Sequence, residues 1–511
     1  MKRLVIYFLS LVLSLCLIFP VVNILQASSQ HQLKQLNQSL LFNMDPISKW
    51  VGWFFSRLGI SIIPLDVVVG SEGWLYIGDK YEQTRSIDRR PAVALDFAMG
   101  EEIDRATRAW DAYLKHYGVK IFKIMVAPNK ATAYPEYLPV WAKPYSPNAT
   151  DAFFVGVGKE NHIDLRVPIH EAKKQNTEVL YYKTDTHWNA LGAALAFRAF
   201  AENVAIAAPE IRWPSAAYYE VIRTDTVNGG DLAKFLRVQN LMTESKPVMR
   251  ADSPVVTTQI DWDSGSIVRE GGNPEVIAPT KPLLVKSVGS LNNKRVLWLR
   301  DSFGYAMSPL MSTTFSNVLQ LHWHDGLMPG GRMAELVERW KPDYVFLTVA
   351  ERVSRSSEFR SFPPPVVTKN QFAFAAEVKT HLLRLNHLIR SKEPQKFLIN
   401  GEDPYIDFAL DKPADTHRSR YLNVEIFCED RSQRIPIQLF WMEKGRTEYD
   451  EAHSYRMTIP TGNVLVDLFT VPRWLDSKSI QRVRFDVDPS KSCSEFQLKR
   501  LAIGRSHTQG S

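Results

Sequence analysis

The stretch of sequence that decides the fold is Val296–Gly304, VLWLRDSFG. Its apolar run stops abruptly at Arg300, and a small glycine follows the polar Asp301 and Ser302 two residues later. This pattern predicts a buried strand that ends at a tight turn and presents one hydroxyl at its carboxyl end. In open α/β sheets, ligands and chemistry lie at that edge. Ser302 is therefore the candidate nucleophile.

A serine hydroxyl is a weak nucleophile by itself, so it needs a base and an acid that orients the base. The best candidates are Asp185 and His187, which follow the strand-like run 179–182. Residues two apart in extended backbone point the same way, so both side chains could face Ser302. In such a triad the imidazole takes the serine proton, and the carboxylate holds the imidazole and stabilises its charged form.

Three other interpretations of these residues stay open at the level of sequence. Asp301 and Ser302 could cap a helix. His187 and Trp188 could form a structural pair. The spacing of Asp185 and His187 could also ligate a metal, but no cluster of further ligands is obvious, and we predict no metal.

The chain around Ser302 alternates between strand-like and helix-like patterns. Strands are predicted at residues 119–126, 295–299, 318–323 and 344–349, and helices at 103–117, 190–205 and 332–340. This alternation predicts an α/β domain with a parallel sheet and crossover helices. Residues 67–69 and 74–77 flank a Gly-containing turn and predict a hairpin. We expect residues 206–290 to be irregular.

The pattern changes towards the carboxyl terminus. A helix is predicted around residues 372–390, and from residue 405 short alternating runs separated by turns predict a β-sandwich. A chain of 511 residues is too long for one core. We therefore expect a main domain over residues 66–395 and a β-sandwich domain over 400–511.

The composition is that of a globular protein, with 45% apolar and 23% charged residues. The formal net charge of +7 is a mild basic bias that could attract an anionic polymer. There is no dense Lys/Arg run and no zinc-finger or helix-turn-helix spacing, which argues against a nucleic-acid partner.

Export is predicted by the amino terminus. Lys2 and Arg3 precede an apolar run from Leu4 to Leu25 that is long enough to cross a bilayer. The positive residues would hold the start of the chain in the cytoplasm and export the rest. We predict that residues 1–27 are an uncleaved signal anchor in the inner membrane and that the remainder lies in the periplasm. A cleaved signal peptide is the alternative.

Residues 28–65 read as a linker or helical segment. Trp50, Trp53, Phe54 and Phe55 form an aromatic cluster in it, which could rest on the membrane surface or pack on the main domain. We favour packing in the core.

Three cysteines occur in the chain. Cys16 lies in the amino-terminal apolar run, whereas Cys428 and Cys493 lie near the carboxyl terminus. Because the chain carries an export signal, we expect the last two to form a disulfide. The alternative is two unrelated buried thiols.

Five blocks of the sequence point to one family. They are YYKTDTHWN at 181–189, LRDSFG at 299–304, GWLY at 73–76, APNKAT at 127–132 with YPE at 134–136, and KPD at 341–343 leading to ER at 351–352. In their order along the chain they resemble the blocks of the periplasmic alginate O-acetyltransferase family, whose members are SGNH-hydrolase-like proteins. The resemblance covers residues 66–355.

The resemblance implies an α/β/α sandwich in which a triad accepts acetyl on serine and passes it to a polysaccharide hydroxyl. Carried over to this chain, the nucleophile is Ser302, the base His187 and the orienting acid Asp185. A multi-pass membrane O-acyltransferase would supply the acetyl group, and no cofactor is expected.

Further site residues are expected near Ser302. The candidates for oxyanion or substrate binding are Asn129, Arg300 and Gly304, through side chains or backbone N–H groups. In the carboxyl-terminal domain, which resembles a carbohydrate-binding β-sandwich in pattern, Trp441 and Trp474 could stack on sugars or pack in the core.

Our leading hypothesis is an anchored O-acetyltransferase that acts on an exopolysaccharide such as alginate. A polysaccharide acetylesterase with the same triad is one alternative, since the sequence does not reveal how well water is excluded. A non-catalytic polysaccharide-binding scaffold protein is the other.

Overall fold

A computed structural model describes residues 2–26, 45–175, 178–250, 255–328, 330–369, 374–428, 434–488 and 493–506. The chain divides into two compact units. The first comprises residues 1–100, 123–323 and 346–355, and the second comprises residues 101–122, 324–345 and 356–511.

Twelve α-helices are present in the described residues. In chain order they are α1 Lys2–Gln26, α2 Asp45–Arg57, α3 Thr84–Asp88, α4 Ala94–His116, α5 Lys130–Ala133, α6 Ala149–Gly156, α7 Arg166–Gln175, α8 Ala190–Ala207, α9 Asp231–Phe235, α10 Ser308–Thr314, α11 Trp323–Leu327 and α12 Met333–Trp340.

The strands up to residue 350 form one sheet of eight strands and two hairpins. They are β1 Val67–Val69, β2 Leu75–Ile77, β3 Ile121–Ala127, β4 His162–Asp164, β5 Val221–Asn228, β6 Thr243–Met249, β7 Val256–Asp261, β8 Ile267–Glu270, β9 Leu283–Val288, β10 Asn292–Arg300, β11 Phe315–His322 and β12 Tyr344–Ala350. The order in the large sheet is β4-β3-β12-β10-β11-β9-β7-β8. The expected hairpin is the antiparallel pair β1–β2, and β5 pairs with β6.

The large sheet is mixed, so the expectation of a purely parallel sheet is wrong. Strand β10 runs parallel to β11, and β3 runs parallel to β4. However, β9, β7 and β8 extend one edge with antiparallel pairing. They lie in the region expected to be irregular. Strand β8 is exposed along its whole length, so no run of buried apolar residues marked it.

The centre of the sheet is fully buried, which explains why its strands could be predicted from the sequence. Every residue of β12 is buried, as are the last five residues of β10, Val296–Arg300. Strands covered on both faces read as continuous apolar runs. Where the run ends, the polar turn Ser302–Gly304 begins, and the carboxyl end of β10 presents it.

Helix α8 is long and apolar enough to cross a membrane. Half of it is buried in the protein, as in the core helix of a globular domain. The side chain of Asn189 caps its first turn by accepting a hydrogen bond from Gly192 N at 3.0 Å. The anchor over residues 1–27 stays a prediction; the structure shows an apolar helix, α1, in that place.

The carboxyl-terminal part of the chain is all β. Its strands are β13 Val367–Lys369, β14 Phe374–Asn386, β15 Leu388–Arg390, β16 Lys396–Ile399, β17 Tyr405–Asp415, β18 Tyr421–Cys428, β19 Arg434–Glu443, β20 Ser454–Pro460, β21 Gly462–Asp467, β22 Ser479–Val487 and β23 Glu495–Ser506. The order is β13-β21-β18-β23-β14-β17-β22-β19-β20, with β15 and β16 attached to β23. A large apolar core lies among them.

The helix expected around residues 372–390 is wrong, because β14 occupies that place. Its first part pairs with β23 and its second part with β17, so it joins the two halves of the sheet. The sequence has helix formers, but pairing on both sides overrides a weak local preference. The β-structure therefore begins at β13, before the expected boundary at residue 400.

Trp441 and Trp474 do not stack on sugars, and that interpretation is wrong. Their exposed fractions are 1% and 0%, and their ring centroids lie 5.6 Å apart in the core. The alternative interpretation, core packing, describes both.

A disulfide joins Cys428 to Cys493 across 65 positions of sequence. Closing a loop of this length restricts the unfolded chain and is worth about 4 kcal/mol in the chain-entropy account. We predict that Cys428→Ser with Cys493→Ser lowers the free energy of unfolding of the β-domain by about that amount, measured by urea denaturation of the exported protein. Cys16→Ser is the control and should leave it unchanged. Two reactive thiols near the carboxyl terminus of the wild type would contradict the pairing.

Candidate functional site

The centre of the candidate site is an irregular loop, residues 182–187, which is called the catalytic loop below. A single bridge between Tyr181 and Trp188 closes it at its base. Inside the loop, Tyr182 N donates to His187 O at 3.2 Å. Because the loop has no regular structure, its polar backbone groups need other partners.

The carbonyls of the catalytic loop are bound by one buried ammonium. Lys130, in the first turn after β3, is 4% exposed. Its Nζ donates to the carbonyls of Tyr182, Lys183 and Asp185 at 3.0, 2.9 and 2.6 Å. An ammonium has three donors, so all of them are used. Burial lowers the pKa of Lys130 to about 8, although the carboxylates of Asp185, Glu244 and Asp231 oppose this shift.

The N–H groups of the catalytic loop are bound by two carboxylates. Glu244 of β6 accepts from Lys183 N at 3.0 Å and from Thr184 N at 2.6 Å. Asp231 of α9 accepts from Thr186 N at 2.7 Å. Three charged side chains from separate elements therefore hold the loop that carries Asp185 and His187.

The structure brings the three predicted triad residues together. His187 Nε2 lies 2.7 Å from Ser302 Oγ, and His187 Nδ1 lies 2.7 Å from Asp185 Oδ1. The two ring nitrogens thus connect a hydroxyl to a carboxylate, which is the arrangement that general-base activation of serine requires. Ser302 is exposed to solvent.

Asp185 is ionised in this arrangement. Burial by itself would raise its pKa, but the hydrogen bond and the charge of His187 and the backbone N–H of Asp231 outweigh burial and lower the pKa. An ionised carboxylate beside Nδ1 favours the protonated imidazole that forms when His187 takes the serine proton.

A second carboxylate stands beside the same imidazole, and the sequence reading missed it. Asp231 Oδ2 lies 4.0 Å from His187 Nδ1, and Asp231 N donates to Asp185 Oδ2 at 3.0 Å. Burial and the charge of Asp185 raise the pKa of Asp231. Asp231 lies within residues 206–290, which we expected to be irregular, and it follows Asn-Gly-Gly at 228–230. The glycine pair before Asp231 is the sequence feature that could have revealed its role. Gly230 lets the chain approach Asp185 closely, since a Cβ at Gly230 would lie 2.6 Å from Asp185 Oδ2.

Among the described residues, one set of His, Cys and carboxylate groups is close enough to share a metal ion. It consists of Asp185, His187 and Asp231. His187 Nδ1 already bonds to Asp185 at 2.7 Å. That nitrogen cannot at the same time coordinate an ion, so the geometry favours the hydrogen-bonded triad over a metal centre.

Asp301 fixes the turn that carries Ser302. Its Oδ1 accepts from Phe303 N at 2.8 Å, and its Oδ2 accepts from Ala350 N at 2.7 Å at the end of β12. Trp188 Nε1 donates to Phe303 O at 3.0 Å. Asp301 therefore caps the turn that contains Ser302, and Trp188 has a structural contact with the same turn, as two of the alternative interpretations held. Both contacts position the triad.

Of the three candidates for oxyanion binding, Asn129 alone keeps a free donor. It is 2% exposed, its Oδ1 accepts from Arg352 Nη1 at 3.3 Å, and its backbone N donates to Glu351 Oε2 at 2.7 Å. Within the described residues, its Nδ2 has no hydrogen-bond partner. A buried donor left open is costly unless a ligand or water uses it.

Arg300 and Gly304 do not fit that role, and those predictions are wrong. Arg300 is wholly buried, and its guanidinium donates to Gln320 Oε1 at 2.8 Å and to Val276 O at 2.5 Å. The N–H of Gly304 donates to Asp301 O at 3.2 Å. Gly304 serves packing, since a Cβ there would lie 2.9 Å from the ring of Trp298.

Comparison with known proteins confirms the resemblance read from the sequence blocks. Residues 67–277 match the family model described as SGNH hydrolase-like domain, acetyltransferase AlgX. This is less than half of the chain, and it contains Asp185 and His187 but ends before Ser302.

Curated relatives are named probable alginate O-acetylase AlgJ. That of Pseudomonas fluorescens is 28% identical over 38% of this chain and 48% of the relative. That of Pseudomonas syringae pv. tomato is 29% identical over 35% of this chain and 44% of the relative. The match thus spans about half the length of these relatives.

Two solved structures extend the comparison. The O-acetyltransferase domain of Pseudomonas putida AlgJ is 20% identical, with 57% of this chain and 92% of that chain covered and a TM-score of 0.38. Pseudomonas aeruginosa AlgX is 12% identical, with 89% and 99% covered and a TM-score of 0.33.

The approach of Gly230 to Asp185 predicts a strong effect of a single methyl group. In Gly230→Ala, the added carbon displaces either Asp185 or the turn, so His187 loses its orientation. We expect the rate at which a sulfonyl fluoride modifies Ser302 to fall by about tenfold or more, because general-base help is typically worth about 10²–10⁴ in rate. Mass spectrometry measures the rate, and a melting curve shows that the variant is folded. An unchanged rate in folded protein would contradict the contact.

The binding of the catalytic loop by Lys130 predicts a second effect. Lys130→Met keeps the bulk of the stem but removes all three donors, so the modification of Ser302 should slow by about tenfold or more. Above about pH 8 wild-type Lys130 loses its charge and one donor, so the wild-type rate should decline there, and the variant should lack this decline.

Lys173→Met is the matched control for Lys130→Met. Lys173 Nζ donates to Ala133 O at 2.8 Å and to Glu136 Oε1 at 2.6 Å, away from the catalytic loop. It should leave the rate and its pH profile unchanged. Equal behaviour of the two variants would mean that Lys130 does not position the loop.

Proposed function

We propose that this protein is an O-acetyltransferase that moves acetyl groups onto an exopolysaccharide through an acetyl-Ser302 intermediate. The observation that carries the proposal is the hydrogen-bonded chain from Ser302 Oγ through His187 to Asp185, each link 2.7 Å long. The match to an acetyltransferase family model over residues 67–277 supports the choice of acetyl as the transferred group.

In the first half-reaction, His187 Nε2 takes the proton of Ser302 as Oγ attacks the carbonyl carbon of the acetyl donor. The tetrahedral intermediate collapses, the bond to the donor oxygen breaks, and His187 returns its proton to that oxygen. The ester acetyl-Ser302 remains. Asp185 keeps Nδ1–H oriented and stabilises the imidazolium in between.

In the second half-reaction, a hydroxyl of the polymer replaces the donor. His187 takes its proton while the hydroxyl oxygen attacks acetyl-Ser302. The new ester leaves on the polymer, and Ser302 Oγ recovers the proton from His187. The buried Nδ2 of Asn129 is the donor that we assign to the oxyanion of both intermediates, since it has no other partner among the described residues.

The acetyl supply and the location form part of the same proposal. Helix α1 carries the apolar run 4–25 and would anchor the chain in the inner membrane with the site in the periplasm. A membrane-bound O-acyltransferase would deliver acetyl across that membrane. The relatives named alginate O-acetylase support an exopolysaccharide acceptor.

Because Trp441 and Trp474 are buried, we assign polymer binding to a groove of the β-domain instead. A cavity of ≈ 610 Å³ opens on it. Its charged lining consists of Lys379, Arg390, Lys392, Lys396, Lys499 and Arg500 against Glu377 and Glu393. This excess of cations would attract an acidic polysaccharide, and the contact would weaken with salt.

Hydrolysis is the second candidate function, and the exposure of Ser302 favours it. If water reaches acetyl-Ser302 as easily as the polymer does, the same triad makes an acetylesterase.

One experiment separates transfer from hydrolysis. Full-length protein receives a chromogenic acetyl ester, with uronate oligosaccharides, neutral oligosaccharides or no acceptor. We expect acetylated uronate product and trapped acetyl-Ser302 in the wild type, and a loss of about 10⁴-fold or more in Ser302→Ala. Release of acetate at a rate that no acceptor changes would make the protein an esterase. Full turnover by Ser302→Ala would exclude the acetyl-serine mechanism.

A further inference from the structure

Helix α2 is attached to the domain by one narrow face. Gly52 lies against the carbonyl of Leu236, where a Cβ would approach the oxygen to 2.5 Å. Trp53 packs beside Gly52 against an apolar cluster that includes Val69 and Leu236. Core packing, which we expected for the whole aromatic cluster, therefore holds for Trp53.

The rest of the aromatic cluster faces outwards, contrary to that expectation. Trp50 and Phe54 are each 55% exposed, and Leu58, just beyond the helix, is 58% exposed. Residues four apart lie on one side of a helix, so these three form one strip. Val51 and Phe55, which are also exposed, widen it. We call these five residues the apolar face of α2.

An apolar face of this kind requires a second apolar environment. Monomeric soluble proteins rarely expose contiguous apolar patches larger than roughly a few hundred Å², and larger ones mark protein or membrane contacts. Aromatic residues on such a face, with basic residues beside it, are typical of helices that lie in the membrane interface. Lys49 directly precedes the apolar face of α2 in sequence, and Arg57 lies next to Leu58.

The neighbour of α2 identifies the environment. Helices α1 and α2 are in contact. Helix α1 is apolar along its length, and its Ile6, Phe8 and Leu13 are exposed. If α1 crosses the bilayer, this contact holds α2 close to the membrane.

We propose that α2 lies flat in the headgroup region of the phospholipid bilayer, with Trp50, Phe54 and Leu58 inserted among the acyl chains. The inference rests on the proposed placement of α1 in the membrane. It gives the catalytic domain a second, rigid attachment besides the anchor.

Helix α2 and the catalytic loop line the same cavity. A cavity of ≈ 720 Å³ is lined on one side by Trp53, Arg57 and Leu58 and on the other by Lys183 and Thr184 of the catalytic loop. The helix in the interface would therefore hold the catalytic loop at a constant height above the bilayer, where a membrane-bound donor can reach it.

The test uses full-length protein in vesicles of phosphatidylethanolamine and phosphatidylglycerol, with and without lipids brominated near the headgroup. Bromine quenches tryptophans within the bilayer surface. Trp50→Phe removes the inserted ring, and Trp141→Phe, whose ring is equally 55% exposed but lies outside α2, is the matched control. We expect Trp50→Phe to remove at least threefold more bromolipid-quenched fluorescence than Trp141→Phe.

Each other outcome overturns the inference. Equal losses from the two variants would place α2 in water. A Trp50 that is shielded from iodide but not quenched by bromolipid would mean that a protein, either a partner or a second copy, covers the apolar face. Protein that does not stay with the vesicles would also refute the placement of α1. None of these results bears on acetyl transfer, which is measured separately.

Phe54→Ser provides an independent second variant if Trp50→Phe proves unstable in a melting curve. Its loss of apolar area should reduce the quenching of Trp50 at least twofold, and the matched Val140→Ser, on a residue 87% exposed elsewhere, should not change it. No reduction in folded Phe54→Ser would overturn the inference.

Discussion

The site depends on how six residues without regular secondary structure satisfy their polar backbone. Lys130 binds three carbonyls of the catalytic loop, and Glu244 and Asp231 bind its N–H groups. Charged partners in a buried setting make stronger hydrogen bonds than neutral ones. They also connect the loop to three separate elements, the start of α5, strand β6 and helix α9. The imidazole of His187 is therefore positioned by helices α5 and α9 and by the β5–β6 hairpin, although it lies on a loop.

The same residues divide the electrostatic roles around His187. Two carboxylates lie close to one ring nitrogen, and their surroundings move their pKa values apart. Hydrogen bonds and the imidazole hold Asp185 ionised, whereas burial and its neighbour raise the pKa of Asp231. In the proposed mechanism, this difference in pKa suits Asp185 to charge stabilisation and leaves Asp231 to bind the loop. Gly230 makes it possible, because only a residue without a side chain lets the two acids come so close.

Local patterns in the sequence predicted which residues meet around His187, because each pattern depends on immediate neighbours. The apolar run that ends at Ser302 and the two-residue spacing of Asp185 and His187 are features of single strands and loops. The partners that hold them were missed for the opposite reason. Asp231 and Glu244 contact the loop across 45 and more positions of sequence, and each by itself reads as an ordinary surface acid. The role of Asn129 stays a prediction, whereas Arg300 was misjudged, since its place beside Ser302 in sequence says nothing of which side of the strand it takes.

By itself, the sequence indicated the α/β class of the main domain, the β-class of the carboxyl-terminal one, the grouping of Ser302, His187 and Asp185, and the pairing of the last two cysteines. The two classes follow from burial and alternation over short windows, the grouping from spacing and family resemblance, and the pairing from the export signal. Only the tertiary structure decided that residues 374–386 pair as a strand, that Trp441 and Trp474 are buried while Trp50 and Phe54 are not, and that Lys130, Glu244 and Asp231 converge on one loop. The reason is physical: these outcomes depend on which distant surfaces meet, and the free energy of such contacts exceeds the local preference of any single residue.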